Sequence, residues 1–307
     1  MRYAEFVKKS PEYALLKAES QTHASGYLIV GKDGIFTDVL CKLFLSDITN
    51  LPLERIENGV ADITIYDEKI LTNIAEDIIS KAYFTPVELQ KKIFVIKCDK
   101  QINDSAQNKL LKILEEPPQS TAFIFTAKEE SHLLATVRSR LKIIRCRPFA
   151  DEEMSKLCDA YFENSLFAQS LCAGSIERAE KFASAEYFEL YRSILTMLFN
   201  MKKSGDILTY SSQLNAKREF LPDILDILEI LFHDCMMCSL GKYDGTMLKM
   251  SLSEIKELSI GYNVEVVLKL RPVLEQARKR IQLAGNAVSI IVQLLFNILE
   301  VKSKCQK

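Results

Sequence analysis

No stretch of this 307-residue chain approaches the roughly 20 consecutive apolar residues that a membrane-spanning helix needs. The opening Met1-Arg2-Tyr3-Ala4-Glu5 has no apolar signal core. A cytoplasmic protein with no membrane association is therefore expected. Charge of one sign is also lacking: 40 lysines and arginines face 41 aspartates and glutamates, a net charge of −1. Bulk electrostatics do not draw such a chain onto nucleic acid, so any DNA contact must come from a local patch or from partner chains. Repeats and low-complexity tracts are missing as well. Between Cys41 and Cys98 there is neither cysteine nor histidine, so that region offers none of the usual ligands of tetrahedral structural zinc.

The eight cysteines at 41, 98, 146, 158, 172, 235, 238 and 305 are scattered, and several lie in apolar runs. In a reducing compartment they read as small core residues. Cys235 and Cys238, with His233 nearby, have a spacing that suits a metal or redox site. The surrounding segment Ile227–Cys238 reads as one buried helix, however, and no second ligand pair exists. No metal and no cofactor are expected.

Two or three domains are expected from the length. Over residues 1–147, short β-type runs alternate with helical ones. The β-type runs are Gly26–Val30, Ala61–Tyr66, Ile93–Ile96, Thr121–Thr126 and Leu141–Cys146. The continuous apolar run Ile93–Ile96 suits a strand covered on both faces. The clearest helix spans Ser105 to Glu115, with Asp104 as its expected cap, Gln107 three residues on, and Ala106, Leu110, Ile113 and Leu114 as its apolar stripe. Pro117 and Pro118 end it. Strands separated by helices imply a parallel sheet with helices on both faces. Beyond Pro148 the β signal disappears. Short helices around Gly174 suggest a small helical domain over residues 148–185. Long helical runs at Glu186–Met201, Pro222–Leu240 and Val264–Leu299, the last broken near Gly285, suggest a helical domain over 186–307.

The first strand is followed by Gly31-Lys32-Asp33-Gly34-Ile35-Phe36-Thr37-Asp38, where a phosphate-binding loop of the form G-x-x-x-x-G-K-[ST] belongs. Gly31 fits. Phe36 stands at the second glycine, where it would fill space the phosphates need. Thr37 replaces the lysine and supplies no cation. Asp38 replaces the hydroxyl and puts a negative charge beside anionic oxygens. A loop of this kind works with an apolar strand ending in a metal-binding acid, but Phe94-Val95-Ile96 ends in Lys97, which cannot ligate Mg²⁺. Taken alone, residues 31–38 read equally well as an ordinary turn.

Two further segments favour the first reading. Asn103-Asp104-Ser105-Ala106-Gln107-Asn108-Lys109-Leu110-Leu111-Lys112-Ile113-Leu114-Glu115-Glu116-Pro117-Pro118 resembles the N-A-L-L-K-x-L-E-E-P-P segment of bacterial clamp-loader subunits, the gamma/tau ATPase and its delta-prime relative. Leu133-Leu134-Ala135-Thr136-Val137-Arg138-Ser139-Arg140 is similar to their L-L-x-T-I-x-S-R-C, in the same order and spacing. Gly174-Ser175-Ile176-Glu177-Arg178-Ala179 is a weaker match to their G-S-x-G-R-A turn. The resemblance implies an α/β AAA+ domain with a RecA-like parallel sheet, a helical lid domain and an all-helical collar. It also implies a hetero-pentamer with gamma/tau and delta subunits that places a sliding clamp on primed DNA. The two losses around Phe36 and Lys97 favour a delta-prime subunit that does not hydrolyse ATP. The four-cysteine zinc module common in the family is absent here, a departure from its usual form. Arg140 matches the arginine that reaches across a subunit interface into a neighbour's ATP site, where a guanidinium stabilises charge on the transferring γ-phosphoryl group; an ordinary surface arginine or ion pair is the alternative. Leu141 takes the place of the family's cysteine as an apolar swap. Arg178 matches the nucleotide-sensing arginine of the lid, for which an interdomain ion pair is the alternative. The rival readings are a divergent gamma/tau ATPase and an AAA+-derived scaffold outside replication.

Overall fold

A computed structural model describes residues 1–21, 25–100 and 102–305. The chain forms two compact units, residues 1–150 with 174–177 and residues 151–173 with 178–307.

In the first unit the elements run α1 (Ala4–Val7), α2 (Pro11–Glu19), β1 (Gly26–Val30), α3 (Gly34–Thr49), α4 (Leu53–Glu57), β2 (Ile63–Tyr66), α5 (Thr72–Ala82), β3 (Lys92–Lys97), α6 (Asp104–Glu115), β4 (Thr121–Ala127), α7 (Ala135–Arg138) and β5 (Lys142–Arg145). The five strands form one sheet in the order β2-β3-β4-β1-β5, and every pair is parallel. All five expected strands are present. The alternating run at 61–66 is strand from Ile63, and Asp62 just before it still bonds β3, its backbone carbonyl accepting Ile93 N at 2.8 Å. Its carboxylate accepts the backbone N–H groups of Val87, Glu88 and Leu89 at 2.7–2.9 Å. Those three amides outweigh the cost of burying the charge and hold the Asp62 carboxyl below its ordinary value.

Alternation along the strands builds two apolar layers. Leu28, Phe94, Ile96, Phe123 and Phe125 join Ala106, Leu110 and Ile113 of α6 and Ala75 and Ile78 of α5 in one core. On the opposite face Tyr27 meets Phe44 of α3, ring centroids 4.8 Å apart. β4 is buried along its whole length, as a central strand covered on both faces requires. Helix α6 starts one residue earlier than expected, and its cap is Asn103, whose Oδ1 accepts from Ala106 N at 2.7 Å. Asp104 is inside the first turn, so the expected capping pair with Gln107 does not form. Gln107 is buried and used differently. Its amide nitrogen donates to the carbonyls of Ile102 and His132, and its oxygen accepts from Leu134 N at 2.6 Å. It thereby fastens α6 to the chain that enters α7.

The second unit is helical: α8 (Asp151–Tyr161), α9 (Ser165–Cys172), α10 (Ile176–Ala183, whose first two residues belong to the first unit), α11 (Ala185–Asn200), α12 (Ser204–Asn215), α13 (Leu221–Ser239), α14 (Leu252–Gly261), α15 (Val264–Gln282) and α16 (Ala287–Cys305). One continuous core runs from Phe167 on α9 to Leu299 on α16. The expected break near Gly285 is present and has a specific cause. Ala284 takes a left-handed conformation (φ 54°), and Gly285 N donates back to Arg280 O at 2.9 Å. A Cβ at 285 would stand 2.8 Å from that carbonyl oxygen, so only glycine fits without a shift. Cys235 and Cys238 lie on the buried side of α13, and burial raises both thiol pKa values. Between them and His233 lies Asp234, fully buried. Its carboxylate accepts Met247 N at 2.9 Å and Leu248 N at 2.7 Å and meets His233 Nδ1 at 3.0 Å. Among the described residues, no helix is long and apolar enough to cross a membrane.

Candidate functional site

β1 ends at Val30 between β4 and β5, and β3 ends at Lys97 on the far side of β4. Ligands of open α/β sheets bind outside these carboxyl ends of the strands. Helix α3 begins at Gly34, directly after the three residues Gly31, Lys32 and Asp33. Gly31 is held tight: a Cβ there would come within 2.8 Å of the Cys146 side chain and 2.9 Å of the Thr37 methyl group. Thr37 N already donates to Asp33 O at 3.1 Å, so helical bonding starts where a phosphate loop would leave its amides open.

Two of the amides at the start of α3, those of Gly34 and Phe36, are taken by carboxylates of the same chain. Asp33 Oδ1 accepts from Phe36 N at 3.0 Å, and Asp33 Oδ2 accepts from Ile176 N at 2.6 Å. Glu177 Oε2 accepts from Gly34 N at 2.9 Å. Two anionic groups thus occupy the positive end of the helix dipole. Burial pushes the Asp33 carboxyl above its ordinary value, and the amides of Phe36, Ile176 and Glu177 offset only part of that rise. Gly174 brings the Glu177 segment into place. It adopts φ 75°, its carbonyl accepts Phe149 N at 2.8 Å, and a Cβ at this position would collide with Phe149 O at 2.5 Å.

Phe36 does not fill the mouth of the loop as expected. Its side chain is turned inward, 1% exposed, with its ring 4.6 Å from that of Phe149. Apolar burial fixes its rotation and leaves the amides to Asp33 and Glu177. Thr37 is likewise turned back, its hydroxyl donating to the carbonyls of Asp33 and Gly34. At the third altered position Asp38 pairs with Lys42 at 2.7 Å and with Lys97 at 3.1 Å, and Lys97 also lies 3.5 Å from Asp67. Burial alone would raise the Asp38 carboxyl, but the Lys42 hydrogen bond and the Lys97 charge outweigh it and hold the group below its usual value. Desolvation of Lys97 is outweighed in turn by Asp38 and Asp67, and its ammonium pKa is raised. Asp38 and Lys97 therefore form a reciprocal ion pair at the carboxyl end of β3. Asp99, two residues beyond Lys97 in sequence, accepts Lys128 N at 2.9 Å.

Arg140 follows α7. Its Nε donates to Glu115 Oε1 at 2.9 Å, and a terminal nitrogen pairs with the same carboxylate. The other terminal nitrogen bonds the carbonyl of Thr136 and the hydroxyl of Ser139. The guanidinium is held at the end of α6 with about a quarter of its side chain exposed. Leu141 beside it is buried in the core of the first unit. Arg178, in the second unit, donates to Leu171 O at 3.2 Å, covers the Phe182 ring and lies 3.7 Å from Asp226, which also pairs with Arg278.

Residues 13–150 match the family described as DNA polymerase III, delta subunit. DNA polymerase III subunit delta' of Escherichia coli is 31% identical over 139 residues, 44% of this chain and 41% of that protein. Over this stretch, a little under half of the chain, the sequence is similar to bacterial clamp-loader subunits. The delta' subunit of Bacillus subtilis is 22% identical over 232 residues, 70% of this chain and 68% of its own length. DNA polymerase III subunit gamma/tau of Mycobacterium tuberculosis is 37% identical over 60 residues, and this chain spans only 10% of that protein. Among solved structures, a DNA polymerase III gamma subunit-related protein of Thermotoga maritima superposes with a TM-score of 0.51 at 16% identity, over 95% of this chain and 99% of that one. At that identity the likeness establishes the fold alone, a parallel sheet followed by helices.

The two motifs that carry the resemblance meet in space. Glu115, from the first, carries the salt bridge to Arg140, from the second. Reading the sequence alone missed Glu115, Asp33 and Glu177. The signal for Glu177 was present, since it stands where the family's turn has glycine.

Proposed function

We propose that this chain is a non-hydrolysing, delta-prime-type subunit of the DNA polymerase III clamp loader. In this reading it assembles with gamma/tau and delta subunits in a cytoplasmic hetero-pentamer, helps load the sliding clamp onto primed DNA, and supplies Arg140 to a neighbour's ATP site. The observation that carries it is the occupied state of the loop after β1. The Gly34 and Phe36 amides are bonded to Glu177 and Asp33, and Lys97 is paired with Asp38. Phosphate and Mg²⁺ would each have to displace a group of their own charge from its partner. Within the helical region, residues 148–185 act as lid and 186–307 as collar. Val288, Val292 and Phe296, exposed at four-residue steps along α16, give that collar an apolar stripe for neighbouring subunits.

Arg140 is suited to act on a neighbour because it stays cationic without any proton transfer and its planar fork is oriented by Glu115, Thr136 and Ser139. The test is ATP hydrolysis and clamp loading by reconstituted complexes carrying Arg140→Ala or Arg140→Lys. Hydrolysis at the adjoining site is expected to fall by about 10³–10⁵, as for arginine fingers in general. Total turnover falls by less, because other sites keep their own arginines. Lysine keeps the charge but not the fork and should rescue in part. Wild-type rates in both variants would make Arg140 a purely structural partner of Glu115.

A further inference from the structure

We propose that the Glu177 carboxylate is an internal stand-in for a nucleotide phosphate, an autoinhibitory contact that keeps the loop after β1 occupied by the chain's own anion. The inference rests on reading residues 31–38 as a former phosphate loop. Glu177 lies 143 positions away in sequence, yet its Oε2 sits 2.9 Å from Gly34 N at the first turn of α3. Its side chain is exposed to water, so burial does not force the contact; the partial positive charge of the helix N-terminus attracts it. The contact is fastened from both sides. Asp33 takes Ile176 N with one oxygen and Phe36 N with the other, and Gly174 locks the turn onto the Phe149 backbone. The matching cation is also internal: the Lys97 ammonium lies between Asp38 and Asp67. The carboxylate and the ammonium carry the charge signs of a phosphate and its metal ion.

A stand-in anion can be replaced by a real one. Backbone hydrogen exchange of Gly34 is to be measured in the full chain for wild type, Glu177→Gln and Glu177→Ala, with and without millimolar inorganic phosphate. Potassium chloride at equal ionic strength serves as the control. Loss of a charge-assisted hydrogen bond should speed exchange at Gly34 about tenfold in Glu177→Ala, with a smaller change in Glu177→Gln. Phosphate should restore protection in Glu177→Ala and leave wild type unchanged. Unaltered exchange in Glu177→Ala would overturn the proposal, and so would a loss of protection that phosphate does not repair. Titrating wild type with Mg-ATP tests the parent reading separately: tight ATP binding would refute the non-hydrolysing assignment, whereas the phosphate rescue reads Glu177 alone.

Discussion

Phe36→Gly puts back the residue that a working phosphate loop has at this position, and its main effect should be on stability. The Phe36 ring is 1% exposed and lies 4.6 Å from Phe149, which in turn meets Phe6 at 4.9 Å. Removing it forfeits the transfer free energy of a phenyl group and leaves a cavity between rings that cannot all close up, a loss of about 3–5 kcal/mol for phenylalanine to alanine. Glycine adds up to about 1 kcal/mol for its poor helix propensity, less here because residue 36 is in the first turn of α3. The sum, about 4 kcal/mol, is a large part of the roughly 5–15 kcal/mol by which domains are stable. Urea unfolding of Phe36→Gly, Phe36→Ala and Phe36→Leu, followed by far-UV circular dichroism, should give midpoints well below wild type for the first two and close to it for leucine, which keeps most of the volume. Calorimetric titration should find no micromolar ATP binding by Phe36→Gly, because Asp33 and Glu177 still hold the amides and Lys97 still opposes Mg²⁺. A destabilisation below about 1 kcal/mol, or micromolar ATP binding, would refute this account of the residue.

The Asp38–Lys97 pair gives a pH signature. Asp38 has a folded-state pKa below its ordinary value, so its contribution is fully present above the ordinary carboxylate range, about pH 4, and is lost as pH falls through the depressed value. Lys97, with a raised pKa, contributes below its ordinary value and loses that contribution only as pH rises through the raised one. Thermal unfolding should therefore show a steeper acid-side loss in wild type than in Asp38→Asn, and equal slopes would count against the pairing. Asp234→Ala should cost about 1–3 kcal/mol, the penalty for a buried unpaired amide at Leu248, while Asp234→Asn keeps an acceptor oxygen and should cost less. Equal urea midpoints for wild type and Asp234→Ala would show that the 247–248 turn does not depend on this carboxylate.

Much of the fold was legible in the sequence because strand and helix periodicity is a local property. The run Ile93–Ile96, the stripe Ala106, Leu110, Ile113 and Leu114, and the long helices after residue 185 each announce their buried faces within a dozen residues, and the structure has them where expected. The departures of Phe36, Thr37, Asp38 and Lys97 from a phosphate-loop pattern were equally plain, since they are read residue by residue. Tertiary structure alone decided what these side chains contact. Whether the Phe36 ring turns into the loop or into the core depends on Phe149, 113 positions on, and apolar burial chose the core. The sequence suggested Asp104 as the cap of α6, and in the structure Asn103 fills that role, its Oδ1 accepting from Ala106 N. Glu177 reaches Gly34 and Glu115 reaches Arg140 only because the fold brings their backbones together. A charge in sequence carries no mark of its partner, and the electrostatic energy that matters depends on a distance of a few ångströms that folding alone supplies.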